Sequence, residues 1–325
     1  MRLFAIFFLL AAPAWARLAF TEHDLKLWLE SPPYTPGALP PAVRANAARF
    51  RWILSKGFLH ELHSGYMEGN ALVLRELGVP ADQIHMVGMS SLRGIEENAV
   101  LMRGPVYEFA ARGPEPVIFL AHSKGAAESL GLLTTDPEFE EQRVKAFFSL
   151  QGAYNGSGVA DAFYFWDPAY RRELPSGAVH PQHLWTFGVL SFWGRPFVKF
   201  GEVCGLAGGL KSLTHVYSAR YWESVRARCQ NAERVAAKSL FIRTVAEPHK
   251  APRTLRPASW YLHRTYGAND ALLTPSSQVA DWLRAEANCP ILLSNAHHLS
   301  LTHRGGRGVD RSLMEALVWG LSLSD

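Results

Sequence analysis

Cysteine is scarce in this sequence, and the common zinc patterns are missing. Its 325 residues include three cysteines, Cys204, Cys229 and Cys289, with no Cys-x-x-Cys and no His-Glu-x-x-His spacing. Nothing in the sequence therefore indicates a zinc site, and we expect neither a metal nor a cofactor. In an oxidising compartment one disulfide would form and one thiol would remain. Cys204 and Cys229 are the preferred pair, and the other two pairings stay open.

A concentrated basic surface is also missing. Lys and Arg number 33 against 29 Asp and Glu, and the resulting net charge of +4 is spread along the chain. Nucleic-acid binding needs a basic stripe with readout elements, so no nucleic-acid partner is expected. Weak attraction to anionic surfaces is the most that this charge supports. The composition, 48% hydrophobic and 19% charged, is that of a globular protein with material for a large core.

Long apolar runs are confined to the N-terminus. Arg2 is followed by an apolar stretch from Leu3 to Ala12 and by a small-x-small site that ends at Ala16. This pattern predicts a signal peptide over residues 1–16, cleaved after Ala16, and a secreted or periplasmic protein. The apolar run is too short to span a bilayer comfortably, although a membrane anchor is the alternative. No later segment has the length and polarity of a spanning helix.

Apolar strand-like runs alternate with helical patterns from about residue 50 to residue 150. Strands are expected at Arg51 to Ser55, Gln83 to Val87, Val117 to Leu120 and Val144 to Leu150, and helices at Asn70 to Gly78 and Ile95 to Ala111. Alternation of this kind predicts an α/β fold with a parallel sheet covered on both faces. Further strands at Ser239 to Val245 and Pro290 to Ser294 extend the sheet, with a loop up to Gly267 between them and a closing helix at Ser312 to Leu321. Glu22 to Glu30 is a short amphipathic segment.

Dense aromatic residues interrupt this pattern between residues 161 and 237. The residues that mark the change are Phe163, Tyr164, Phe165, Trp166, Trp185, Phe187, Phe192, Trp193, Phe197 and Phe200. We interpret the segment as a cap inserted into a single domain of residues 17–325, with apolar side chains that face a pocket. A second helical core is the alternative. The stretch from His183 to Gly201 is a candidate for transient contact with a lipid surface, although its apolar spacing is irregular.

A sharp turn follows the central strand. Ser123 lies between the apolar run that ends at Leu120 and a segment that favours a helix, and Gly125 comes two residues later. This arrangement matches the nucleophile elbow Gly-x-Ser-x-Gly, with Ala121 in place of the first glycine. The elbow would present the Ser123 hydroxyl at the carboxyl end of the sheet, where ligands bind in folds of this kind. The alternative is an ordinary strand-to-helix turn with a surface serine.

A serine nucleophile needs a base, a carboxylate that orients the base, and donors for the oxyanion. Asp270 lies in a turn-like loop, and His297 and His298 follow the last strand, which gives the order Ser, Asp, His. One of the two histidines would be the base, and Glu247 is the reserve acid. Backbone N–H groups of Phe58, or next Leu59, and of Lys124 are the candidate oxyanion donors.

Seven short segments resemble the secreted bacterial triacylglycerol lipases and esterases of the α/β-hydrolase superfamily. They are Lys56-Gly57-Phe58-Leu59, Glu97-Asn98-Ala99, Ala121-His122-Ser123-Lys124-Gly125, Asn155 to Asp161, Gly209 to Thr214, Asn269-Asp270, and His297-His298-Leu299-Ser300. The resemblance spans about residues 50 to 300 and implies an α/β-hydrolase fold. It also implies that His298 is the base and His297 its neighbour. Lys56 replaces a family histidine, and Ser300 replaces a calcium-ligating aspartate, so no structural calcium is expected.

The resemblance implies a serine esterase or lipase that cleaves carboxylic esters of apolar acids. The same machinery would also serve a polyester depolymerase, a phospholipase or an acyltransferase. An exported binding protein that keeps the fold without turnover is the alternative of a different class.

Overall fold

A six-stranded sheet forms the centre of the protein. The computed structural model describes residues 18, 22–31, 37–165, 167–174, 208–283, 291–302 and 309–323. The strands are β1 (Arg51–Ser55), β2 (Ile84–Val87), β3 (Val117–His122), β4 (Val144–Leu150), β5 (Ser239–Val245) and β6 (Ile291–Ser294). Their order is β2-β1-β3-β4-β5-β6, and every pairing between them is parallel. The predicted α/β architecture is therefore confirmed.

Helices cover both faces of the sheet. In the described part of the chain they are α1 (Glu22–Glu30), α2 (Pro41–Ala47), α3 (Glu68–Glu76), α4 (Ile95–Ala110), α5 (Ser123–Thr135), α6 (Pro137–Arg143), α7 (Gly158–Tyr164), α8 (Pro168–Glu173), α9 (Gly208–Lys211), α10 (His215–Arg228), α11 (Ala232–Ala237), α12 (Arg256–Tyr266) and α13 (Val309–Ser322). Successive strand residues point to opposite faces, so Ile53 packs with α4 and α5 while Trp52 and Leu54 pack with α1, α3 and α13. Burial on both faces explains why the central strands β3 and β4 are mostly apolar, whereas the edge strands β2 and β6 are only partly buried.

The predicted loop between β5 and Gly267 is wrong, because helix α12 occupies much of this segment. Its inner face buries Tyr261 and Leu262 against Ala162 of α7, and Trp260 on the outer face is 48% exposed. A short helix with so few apolar positions is stabilised mainly by this packing, which a local sequence pattern does not reveal. Gly267, with φ of 84°, ends the helix.

Five of these helices, α7 to α11, lie between β4 and β5, where the sequence predicts a cap. Residues 175–207, which include the predicted lipid-contact stretch and Cys204, lie outside the described residues, as do Cys289 and the predicted signal peptide. Cys229 is half-buried and forms no disulfide with another described residue, and burial raises the pKa of its thiol. The Cys204–Cys229 disulfide stays a prediction. Within the described residues, none of the helices combines the length and apolar character needed to cross a bilayer.

Candidate active site

Ser123 occupies a strained turn between β3 and α5. Its φ is 54°, in the left-handed region that non-glycine residues rarely adopt, and it is 7% exposed. The turn brings α5 against the end of β1 so closely that a Cβ on Gly125 would collide with the Lys56 carbonyl oxygen. Glycine at position 125 is therefore required by this contact, and the local geometry is that of the predicted nucleophile elbow.

His298 links Ser123 to Asp270. Its Nε2 lies 2.8 Å from Ser123 Oγ, and its Nδ1 lies 2.8 Å from Asp270 Oδ2. All three side chains are buried. A carboxylate accepts only, so it holds the proton of the neutral imidazole on Nδ1 and leaves the Nε2 lone pair facing the serine hydroxyl. This arrangement can withdraw a proton from Ser123.

The loop that carries Asp270 is fixed by its own hydrogen bonds. Asp270 Oδ1 accepts from the N–H groups of Leu272 at 3.0 Å and Leu273 at 2.7 Å, and its carbonyl accepts from His298 N–H at 2.7 Å. Asn269 Oδ1 accepts from Ser259 Oγ and so ties the loop to α12. The carboxylate is therefore aimed at His298 before any substrate binds.

The structure does not bring the two reserve residues into this arrangement. Glu247 is exposed beside His249, 3.3 Å from its Nδ1, and it has no contact with His298. His297 directs its Nδ1 to Leu299 N–H, and its own N–H donates to Ser300 Oγ at 2.9 Å. Asp270 and His298 are thus the acid and imidazole that stand next to Ser123.

The structure distinguishes the Phe58 and Leu59 N–H groups, the two candidate oxyanion donors in the loop after β1. Leu59, which has φ of 58°, donates its N–H to Ser91 Oγ at 2.6 Å. Phe58 N–H has no acceptor in the described part of the chain. A Cβ added to Gly57 would lie 2.8 Å from Ser123 Cβ, so the loop is packed directly on the serine. Phe58 N–H, together with Lys124 N–H in the unsatisfied first turn of α5, remains available for an oxyanion.

Ser91 and Glu61 hold this loop in place, and the sequence analysis missed both. Ser91 donates to Glu61 through Oγ at 2.5 Å and through its N–H at 2.8 Å. Burial raises the pKa of the Glu61 carboxyl, but the hydrogen bonds from Ser91, together with the Glu61 backbone N–H and the nearby His60, outweigh burial and leave that pKa below its usual value. The contact is therefore present at neutral pH and is lost as the pH falls through the lowered pKa. The position of Ser91 shortly after β2, at the carboxyl edge of the sheet, is the signal that could have found it.

Lys124 also carries a buried ion pair. Its Nζ lies 2.6 Å from Glu128 Oε1 and donates to the Ser90 carbonyl at 3.3 Å, and both charged side chains are 2% exposed. Asn98 Nδ2 also donates to Glu128 and to the Ser90 carbonyl. Burial raises the pKa of Glu128 in spite of the Lys124 charge and these hydrogen bonds. The pair therefore connects α5 to the loop of Ser90 and Ser91, whose Ser91 hydroxyl accepts from the Leu59 N–H.

We expect Lys124→Met to lower the free energy of unfolding by about 3–5 kcal/mol, because Glu128 would stay buried without its partner. The double substitution Lys124→Met with Glu128→Leu should recover most of this loss, since no unpaired charge remains. Urea unfolding at pH 7 measures both values. Equal stability of the single and double variants would contradict the coupling.

An apolar cavity of about 320 Å³ opens beside Ser123 and His298. Its apolar lining comes from the loop after β1, from α7, from the segment around α9 and from the Asp270 loop. The main apolar lining residues are Phe58, Val159, Phe163, Leu210, Leu213, Leu255, Leu272 and Leu299. Such a surface favours an apolar group over a charged one.

Among the residues that the structure describes, no three His, Cys, Asp or Glu side chains lie together as metal ligands would. Ser300 Oγ accepts a hydrogen bond from the His297 N–H at 2.9 Å. The expected absence of a structural calcium stays a prediction.

Comparison with known proteins identifies the fold. Neither a scan against protein-family models nor a search of curated proteins gave a match. Among solved structures, a metagenomic carboxyl esterase is similar with a TM-score of 0.53 and 19% identity, covering 85% of this chain and 75% of its own. A mature lipase of Bacillus licheniformis is similar with a TM-score of 0.51 and 12% identity, covering 83% and 88%. With the parallel sheet, these likenesses show that the chain has the α/β-hydrolase fold.

Proposed function

We propose that this protein is a serine hydrolase that cleaves carboxylic esters of apolar acids. The observation that carries the proposal is the position of His298, whose two ring nitrogens lie 2.8 Å from Ser123 Oγ and 2.8 Å from Asp270 Oδ2. Distances of this size allow proton transfer between serine and imidazole while the carboxylate stabilises the resulting imidazolium. At such low identities the similar structures indicate the fold alone, so the proposal rests on this geometry.

The reaction follows from the positions of the groups. Ser123 Oγ attacks the ester carbonyl carbon as His298 Nε2 takes its proton, and the Asp270 carboxylate stabilises the charged imidazole. The N–H groups of Phe58 and Lys124 hold the tetrahedral oxyanion. The carbon–oxygen bond to the alcohol then breaks, and His298 protonates the leaving alkoxide. Water, deprotonated by His298, attacks the acyl-enzyme and releases the acid and Ser123.

The cavity supports the proposal that the acyl group of the substrate is apolar and binds there. Its wall is mostly leucine, phenylalanine and valine, and it opens directly on Ser123. Burial of methylene groups there would contribute about 0.8 kcal/mol each, so longer chains should bind more tightly until the cavity is full. The esterase and the lipase with similar folds are named for activities of this kind.

Labelling with a fluorophosphonate probe tests the proposal. We expect the probe to modify the folded protein once, at the peptide that contains Ser123, and p-nitrophenyl esters from acetate to laurate to be hydrolysed. Fractionation of a bacterial expression host before labelling tests the export that residues 1–16 predict, since the labelled protein should lie in the periplasm or the medium.

Two other outcomes are informative. Absence of labelling on folded protein would contradict the proposal and favour the non-catalytic binding protein. Labelling without turnover of the simple esters would keep the nucleophile but move the substrate to the other classes, namely polyesters, phospholipids or an acyl acceptor other than water. A panel of these substrates separates them.

A further inference from the structure

His122, which precedes Ser123, is buried in a position that connects it to the loop of His298. It is fully buried, its Nε2 lies 2.8 Å from the His298 carbonyl oxygen, and the same nitrogen lies 3.1 Å from Gln151 Oε1. Both of these partners are acceptors, so Nε2 carries the proton. His122 therefore donates to the backbone of the residue whose side chain faces Ser123.

Tyr66 extends the connection in the other direction. Its hydroxyl contacts His122 Nδ1 and packs against Gly57 in the loop after β1 so closely that a Cβ added to Gly57 would collide with it. Burial raises the pKa of the Tyr66 phenol, so the hydroxyl keeps its proton. Because Nε2 of His122 carries the ring proton, Nδ1 of the neutral ring accepts the hydrogen bond from the Tyr66 hydroxyl. One chain of contacts thus runs from Gly57 in the loop after β1, through the Tyr66 and His122 side chains, to the His298 carbonyl.

Gln151 closes the network on the side of β4 and β5. It follows β4 with φ of 50°, an unfavourable conformation for a residue with a Cβ, and it is fully buried. Its Nε2 donates to the His297 carbonyl at 3.0 Å and to the Thr244 hydroxyl. The carbonyls of both His297 and His298 are therefore held by side chains that come from other strand ends.

We infer that Tyr66, His122 and Gln151 are positioning residues. They fix the loop after β1, which carries the Phe58 N–H, and the loop of His298 around Ser123. This inference rests on the proposed function and goes beyond it, since none of the three side chains takes part in bond making. A polar chain in the core has a desolvation cost, and apolar side chains of similar size would pack there without that cost. Its contribution is directional, because His122 and Gln151 hold the backbone carbonyls of His298 and His297, the residues that carry and precede the reacting imidazole.

Tyr66→Phe is the sharpest test, because it removes only the hydroxyl and keeps the ring at the cavity wall. We expect kcat, counted per probe-titrated active site, to fall on the order of tenfold to a hundredfold, because small displacements of catalytic groups have effects of this size. KM should stay within about twofold, since substrate-facing atoms are unchanged. Tyr154→Phe is the matched control. Tyr154 is also fully buried, and its hydroxyl donates to Ser149 at 2.7 Å, outside the network.

His122 offers a second pair of variants that separates positioning from folding. Gln can place an amide N–H near the position of Nε2, so His122→Gln should keep more of the kcat than His122→Leu at comparable thermal stability. Equal loss of kcat in Tyr66→Phe and Tyr154→Phe, or equal kcat in His122→Gln and His122→Leu, would overturn the inference. Failure of the proposed function is distinguishable, because the wild-type protein itself would then take up no fluorophosphonate.

Discussion

Ser123→Ala is expected to lower kcat for p-nitrophenyl butyrate by about a millionfold. The remaining rate is what substrate binding and the oxyanion donors sustain without the nucleophile. The reason is that Ser123 Oγ is the hydroxyl that lies 2.8 Å from His298 Nε2 among the residues that the structure describes. The strained turn, with φ of 54°, presents the Ser123 hydroxyl to His298. An alanine in the same turn has no hydroxyl to present. Initial rates measured with excess ester, together with loss of fluorophosphonate labelling, test this.

Ser129→Ala is the matched control for that variant. Ser129 lies on the same helix and is fully buried, and its hydroxyl donates to Ser55 Oγ at 2.8 Å, away from the cavity. We expect a loss of about 1 kcal/mol of stability and a kcat within about twofold of wild type. A Ser123→Ala protein that keeps full activity would remove the basis of the proposed mechanism.

Asp270→Asn should lower kcat about ten-thousandfold while leaving the fold intact. Leu272 and Leu273 donate their N–H groups to Asp270 Oδ1, so an asparagine would direct its carbonyl oxygen to them. Its amide NH₂ group would then face His298 Nδ1, where the carboxylate now accepts at 2.8 Å. That amide donates, so Nδ1 must become the acceptor and Nε2 must carry the proton. An imidazole in this tautomer cannot take the proton of Ser123.

Glu247→Gln is the control for the acid, because Glu247 is exposed and lies beside His249 rather than His298. Its kcat should equal that of wild type at every pH. The two variants are compared by pH profiles of kcat from pH 5 to 10. A larger effect at Glu247 than at Asp270 would show that a different acid orients the base.

Local sequence patterns were sufficient for most of the sheet. β1, β4 and β5 have the predicted bounds, and β2 begins one residue later than expected. β1, β4 and β5 are buried along almost their whole length, so most of their residues are apolar and their limits are visible in sequence. Helix α12 was missed because its packing partner, α7, lies nearly 100 residues earlier in the chain.

The sequence by itself determined which kinds of groups stand at the strand ends: a serine in a small-residue turn, an acid, and a histidine pair. The structure decided among the neighbours that local pattern could not separate. It places His298 rather than His297 against Ser123, sets Asp270 rather than Glu247 on the imidazole, and commits the Leu59 N–H to Ser91. The Tyr66–His122–Gln151 network was also invisible in sequence. Each of these depends on distances between segments far apart along the chain, which are fixed only when the parallel strands pack and their carboxyl ends meet at one edge.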